Sequence, residues 1–495
     1  MTIVLRRPRF APTPWPHDHP RRRELGRRLD PDHVARRINH AVDRLDLADL
    51  HHDYQGVGSQ AYRPGLLLKA VLYEVRQGRH SPAQWYRDAR ESGPVRWLLR
   101  GSEPSRSCWY AFRDRIVSYL EDWNRQVLAI AVEEGLTTAR RGALDGTLIA
   151  ANASRRRLLD EAKLRERCAA LDRATDSTAV RPRWLAPTAE GQRRQREQLR
   201  RAQGRLEELQ RRNAGKRASK RVTQQRVVVS PSDPEAALGR DKEGVYRPLY
   251  NVQVVDDLDS PFVLAYGVFA QPNDAGLLGP MTQRLKEIFG CPVAVLLADS
   301  AYAGGADLAV AVEQGVTLYA PPPADGACPE KQIPKRDFVW LASEETYRCP
   351  QGHHLEYVGS CRQRRSGTEA VQLAQYRCPP EHCRECPLRA RCTPRPEQGR
   401  TISRSEHEEF IEGLRARMNE GQAKELYGQR RQTVELVNAD WKEHRKLRRM
   451  SGRGLTRAGC QVGVTVLAQN LLTLLAQENK KAEKSSATKP EEIAA

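Results

Sequence analysis

No run of about 18 apolar residues, the length that crosses a membrane, interrupts this sequence. Its opening residues, MTIVLRRPRFAPTPW, also lack the apolar core of a secretory signal. On these two absences a membrane-spanning or exported chain is excluded and a cytoplasmic protein is expected. Acid is scarce too: 62 Asp+Glu stand against 82 Lys+Arg, a formal charge of +20 and a pI near 9.7. That imbalance does not suit a typical metabolic enzyme and does suit a polyanionic partner, DNA or RNA. Ribosomal, membrane-surface and simply soluble basic proteins share it. A reducing compartment rarely keeps disulfides. The crowding of seven of the eleven cysteines between Cys328 and Cys392 therefore reads as metal ligation rather than cross-linking.

What is present is enough chain for about two to four domains. Hydrophobic residues make up 39%, sufficient for packed cores, while long polar helices hold the mean hydropathy at −0.68. Residues 1–30 form a Pro- and Arg-rich basic arm, and 31–138 a helical domain. Apolar residues recur there at helical spacing in VARRINHAVDRLDLADL, PGLLLKAVLYEVRQG and IVSYLEDWNRQVLAIAVEE, with Pro64 and Pro104 placed where helices could start. The first part of an α/β core spans 139–320. It opens with a short strand, RGALDGTLI at 141–149, and carries a charged helical insert at 155–225. Leu199, Ala202, Leu206 and Leu209 fall on one face of a long helix in that insert, half of a hairpin that either contacts DNA or only links two strands.

Strand signals return in PLYNVQVVD (248–256) and PFVLAYGVF (261–269), with a turn-like DDLDS between them. A helix over 275–288 leads into PVAVLLADS (292–300), a continuous apolar run typical of a buried central strand. A cysteine-rich insert occupies 321–400. Core C-terminal helices follow over 401–478, one long at 405–447 and one amphipathic at 455–477. The polar tail 479–495 is expected to be disordered.

Two acids stand out by position: Asp145 within the first strand and Asp299 at the end of the apolar one. Glu435 is a third candidate, in RRQTVELVNADWKEHRK. Arg431, Glu435, Asn438 and Lys442 share a polar stripe of that helix beside an apolar stripe of Val434, Val437 and Trp441 that would dock on a sheet. Phosphoryl transfer on DNA uses such carboxylates to hold Mg²⁺ or Mn²⁺, hard cations that take oxygen ligands. Two ions about 4 Å apart activate the attacking oxygen and stabilise the leaving one. Each acid also has a bland reading. An Asp at a strand end is commonly a turn or cap residue, and Glu435 could simply pair with Arg431. Arg431 and Lys442 could instead meet DNA phosphate.

CPPEHCRECPLRARC contains Cys378, Cys383, Cys386 and Cys392, and Cys349 opens a turn-like CPQGHH upstream. Four such ligands make a closed, structural Zn²⁺ site, with Cys361, His353 and His354 as further possible ligands. The alternative is a small domain with free, partly buried thiols.

LDGTLIAANAS around Asp145, LLADSAYAG around Asp299 and RQTVELVNADWK around Glu435 resemble the three catalytic blocks of bacterial insertion-sequence DDE transposases. The nearest branch has a cysteine-bearing insert before the last block (the IS eleven-eighty-two type). FRDR (Phe112 to Arg115), YNVQVVDD, Asn273-Asp274 and GRGLTRAGC…LAQNLL, with Arg453 and Asn470, extend the likeness over most of the chain.

The resemblance implies an RNase H-like core in which Asp145, Asp299 and Glu435 bind Mg²⁺. Arg431, Lys442 and Arg453 would contact DNA, and Cys349, Cys383, Cys386 and Cys392 would hold the zinc. It also implies DNA partners, namely element terminal inverted repeats and target DNA, a homodimer in a synaptic complex, and a nucleoid-associated location. Tyr427 is one residue out of the family's helix register, and Asn438-Ala439 replaces its usual aromatic-Gly pair. Rival readings are a nuclease of the same fold that only hydrolyses DNA, and a non-catalytic zinc-containing DNA-binding protein.

Overall fold

A computed structural model describes residues 8–54, 59–173, 182–216, 218–323, 332–364 and 370–487. Cys328 and the last residues of the polar tail lie outside them. The chain divides into two compact units. One comprises Met1–Asn273, Glu287–Cys291 and Arg431–Ala495, and the other Asp274–Lys286 and Pro292–Arg430.

In the first unit, the helices Val34–Val42, Pro64–Arg76 and Leu120–Glu133 pack on the C-terminal helix Leu455–Ala487. Pro64 occupies a first helical turn, where its missing N–H costs nothing. The Ser105 hydroxyl, one residue after Pro104, caps the helix Arg106–Ile116 by accepting from Cys108 N at 3.2 Å. The C-terminal helix is not the amphipathic one expected, because from Cys460 to Leu475 almost every residue is buried or half-buried. Its stretch Leu455–Glu483 is in fact long and apolar enough to cross a membrane, which corrects the sequence reading. However, 83% of its most apolar window is buried inside the protein. Its apolarity builds a core. Asn470, fully buried on this helix, brackets Val263: Oδ1 accepts from the Val263 N–H and Nδ2 donates to its carbonyl, both at 2.9 Å.

A sheet lies beside these helices. Strand β1 (Arg141–Ala150) pairs antiparallel with β3 (Tyr246–Asp257), which also pairs antiparallel with β2 (Ala237–Arg240) and β4 (Val263–Phe269). The register sets Asp145 opposite Val254 and Ala143 opposite Asp256. DDLDS is therefore a turn only in part. Asp256 and Asp257 complete β3 and are buried. The helix Val434–Glu443 rests on β1 and β3.

The charged insert forms the expected hairpin, Glu161–Arg173 against Ala189–Ala214. Leu199, Ala202 and Leu206 are buried with Leu164 and Leu171, and Leu209 packs on them. Its arginines are largely spent within the helix. Arg194 pairs with Glu190, Arg200 and Arg201 with Glu197, and Arg205 and Arg212 with Glu208.

In the second unit, β5 (Val295–Leu297) and β6 (Thr317–Tyr319) pair in parallel across the helix Gly305–Glu313. The cysteine-rich segment holds an antiparallel sheet that its sequence did not announce, in the order β11-β10-β9-β8-β7. Its strands are β7 (Val339–Leu341), β8 (Thr346–Arg348), β9 (His354–Arg364), β10 (Ala370–Arg377) and β11 (Thr401–Ser405). The helix expected over 405–447 is broken into Glu408–Asn419, Gly421–Gly428 and Val434–Glu443. Gly421, Gly428 and Thr433 sit at the breaks, all residues that disfavour a helix interior.

Glu74 is buried within the helix Pro64–Arg76. Burial and a hydrogen bond with Asp88 push its carboxyl up to about 8, against the lowering influence of Arg79 at 3.3 Å. The folded state then keeps a proton that the unfolded chain releases above its ordinary value of 4.5. Stability should therefore fall as pH rises from there to about 8, by at most about 1.4 kcal/mol per pH unit. Urea unfolding should show Glu74→Gln gaining on the wild type as pH rises through that window. Parallel pH profiles for the two proteins would refute the assignment.

Candidate active site

Asp145 lies in the middle of β1, 9% exposed. Its neighbours Leu144 and Ala143 are fully buried, so the apolar strand fixes the carboxylate at the sheet surface. Asn438, on the helix Val434–Glu443, donates from Nδ2 to Asp145 Oδ2 at 2.8 Å. This bond ties the helix that carries Glu435 to the strand that carries Asp145, although 293 residues separate its two partners. Glu435 is exposed and precedes Asn438 by one turn. Lys442 follows one turn later, half-buried. Burial lowers its ammonium, as do Lys242 and Arg448, while Asp145 and Asp241 act in the opposite direction.

The sequence reading placed Asn438 on a polar stripe beside the packed face. In the structure it is 6% exposed, in line with the buried Val434 and Trp441. The spacing of residues 434, 438 and 441 is that of a buried helix face, a signal present in the sequence and obscured by the polar side chain.

Asp256 was missed altogether. It is two residues beyond Val254, the direct partner of Asp145, so strand alternation sets Asp145 and Asp256 on the same sheet face as diagonal neighbours. It is 4% exposed and neither carboxyl oxygen has a hydrogen-bond partner. Burial first, then the Asp145 and Asp257 carboxylates, push it well above the usual carboxylate range. Asn438 Oδ1 is likewise buried without a partner. Among the described residues no three His, Cys, Asp or Glu side chains gather closely enough to hold a metal ion. The atoms left unsatisfied beside Asp145 are nevertheless all oxygens, the donor type a hard divalent cation takes.

Asp299 belongs to the second unit. It follows β5 and begins the short 3₁₀ turn Ser300–Tyr302, where its Oδ1 accepts from Ala301 N at 2.8 Å. Of the arginines expected at DNA, Arg431 is exposed in the 3₁₀ turn Gln429–Gln432, and Arg453 is exposed with Nε donating to the Asn152 carbonyl at 3.3 Å. Several of the arginines between residues 21 and 37 have structural work. Arg36 donates to the Gly26 carbonyl at 2.6 Å and lies over Trp97, and Arg37 donates to the Leu472 carbonyl at 3.0 Å.

In the cysteine-rich segment, Cys378 and Cys383 are buried with Phe338, Tyr347, Leu355, Tyr376 and Ile402, and Cys349 and Cys392 pack against them. Burial and the nearby Cys383, Cys349 and Cys392 thiols push Cys378 far up. Burial raises Cys392 to about 11, Arg400 acting against it. Cys361 is exposed on β9 beside Gln375, His354 pairs with Glu344 at 3.1 Å, and the His353 ring stacks on His382. Gly399, with φ +76°, lets the chain pass the Cys378 carbonyl where a Cβ would collide.

Two family descriptions match the chain: "Transposase DDE domain" over residues 348–475 and "Transposase domain (DUF772)" over residues 23–115. The chain belongs to the insertion-sequence DDE transposases. The first match contains the cysteine cluster, Glu435 and Asn438, and the second covers the N-terminal helices. Membership carries with it catalysis on a DNA substrate and the use of divalent metal. No curated protein matches the chain.

If the Asn438 bond positions Asp145 in this transposase, Asn438→Ala should reduce DNA cleavage about 10- to 100-fold, the usual cost of losing a partner that orients a metal ligand, with the circular dichroism spectrum unchanged. Wild-type cleavage rates in a folded Asn438→Ala protein would contradict that role.

Proposed function

We propose that this transposase cuts and rejoins the DNA ends of its element in a metal-dependent reaction, with Asp145, Asp299 and Glu435 as the acids of an RNase H-like core. The observation that carries the reading is the Asn438–Asp145 hydrogen bond, which joins two of the three sequence blocks in one place. The strand pattern of each unit agrees with it: β1 antiparallel to β3 in one, β5 parallel to β6 in the other. Bound Mg²⁺ or Mn²⁺ would supply activation of water for strand cleavage and of a DNA 3′-hydroxyl for strand transfer.

Around it the protein's own groups orient and neutralise. Asn438 holds Asp145 in position. Lys442, half-buried and within the electrostatic reach of Asp145, offers a cation to a phosphate. Arg431 and Arg453, exposed, extend that positive surface along the DNA backbone. Two element ends brought together would suit a homodimer.

Substituting Asp145, Asp299 or Glu435 by Ala should abolish cleavage of element-end DNA and leave DNA binding nearly intact. The wild type should also give strand-transfer products with a plasmid target. Full cleavage by Asp299→Ala would end that acid's assignment, and cleavage without strand transfer would favour a hydrolytic nuclease.

The cysteine-rich segment we assign to structural zinc, held by Cys349, Cys383, Cys386 and Cys392. Support comes from the packing of Cys349, Cys383 and Cys392 around one small core and from the electrostatic coupling of Cys386 to Cys392. Cys378, buried in the same core, is the alternative fourth ligand. Elemental analysis of purified protein should find stoichiometric zinc, and Cys383→Ser should remove it. Zinc-free wild-type protein with an unchanged melting temperature would dismiss the site.

A further inference from the structure

Asp256 and Asp257 are adjacent, buried and chemically identical, yet only Asp257 receives side-chain hydrogen bonds, both on Oδ2, while its Oδ1 has none. Asp257 points to the opposite sheet face from Asp256, as alternation requires. There its Oδ2 accepts from the hydroxyls of Thr137 and Ser260, each at 2.5 Å. Asp256 receives no hydrogen bond, and the groups that act on it are two further carboxylates. Burying a carboxyl with neither a donor nor a cation is among the costlier things a fold can do. Such a group persists where something absent from the protein alone completes its surroundings. On the Asp145 face the other buried atoms without a partner include Asn438 Oδ1, on the same amide that grips Asp145, and Thr147 Oγ1, two residues along β1.

We propose that Asp256 is an additional carboxylate of the divalent-cation site at Asp145, reached through the same sheet face and completed by the Asn438 carbonyl oxygen. The inference rests on the reading of Asp145 as a metal-binding acid. It adds to that reading a ligand from β3, a strand that supplies none of the three family acids. A cation bound there would balance two like charges that otherwise oppose one another in the folded protein.

The test is Mn²⁺ binding by the full-length, DNA-free protein, followed by the electron paramagnetic resonance signal of free Mn²⁺, together with melting temperature in EDTA. Asp256→Asn keeps the shape and removes the charge. It should weaken Mn²⁺ binding about tenfold or more and raise the melting temperature in EDTA, because an uncompensated buried acid is gone. Asp257→Asn, altering the hydroxyl-bonded neighbour, should leave Mn²⁺ affinity as it is. Wild-type Mn²⁺ affinity in Asp256→Asn, with affinity lost in Asp145→Ala, would overturn the proposal and leave the Asp145 reading standing. Equal losses in Asp256→Asn and Asp257→Asn would overturn it as damage to β3. Unchanged affinity in all three variants would remove the Asp145 reading along with it.

Discussion

Two carboxyls held side by side on an apolar sheet are the constraint from which the rest of the first unit follows. Asp145 and Asp256 share one face of a sheet whose central strand is buried from Leu249 to Asp257. Both are shielded from water, and Asp256 receives no hydrogen bond. Apolar packing must supply the free energy that keeps them there. The fold accordingly sets the fully buried Val252 and Val254 on the same face of β3, and Val434 and Trp441 on the covering helix. A helix docked by those side chains has little freedom to slide, so Asn438 meets Asp145 in one register.

The C-terminal helix extends the same logic to the rest of the unit. It packs on three N-terminal helices and on β4 at once. At Gly463 the absence of a side chain admits the Tyr266 hydroxyl, and Asn470 satisfies both backbone groups of Val263. The helical domain and the sheet are thus held to a common buried rod rather than linked by a flexible tether. A hydrophobicity that would otherwise suit a membrane is consumed in joining them.

Much of this was legible in the sequence wherever one local rule dominated. Alternation and apolar runs located β1, β3 and β4, and the leucine spacing of the charged insert located its hairpin. Three separate motif blocks carried the family likeness where any single acid would have been ambiguous. Readings failed where tertiary context overrode local character. Asn438 is polar at a buried helical position, and Asp256 sits in a DDLDS that has the composition of a turn yet begins inside a strand. Strands β7, β8 and β11 are short, and the longer β9 and β10 mix polar with apolar residues, so none stands out beside the cysteines. The helix over 405–447 was read as continuous because its composition is helical throughout, and the breaks at Gly421, Gly428 and Thr433 are local.

The bond between residues 145 and 438 has a consequence for the order in which the protein is made. Asp145 emerges from the ribosome early, Asn438 and Glu435 only after the whole second unit has been synthesised. Met450, whose N–H donates to the carbonyl of Ala150 at the end of β1, comes later still. A nascent or truncated chain ending before residue 431 therefore carries the first acid and none of the helix that orients it. The contact that fixes the Asp145 side chain therefore cannot form until the second unit has been synthesised.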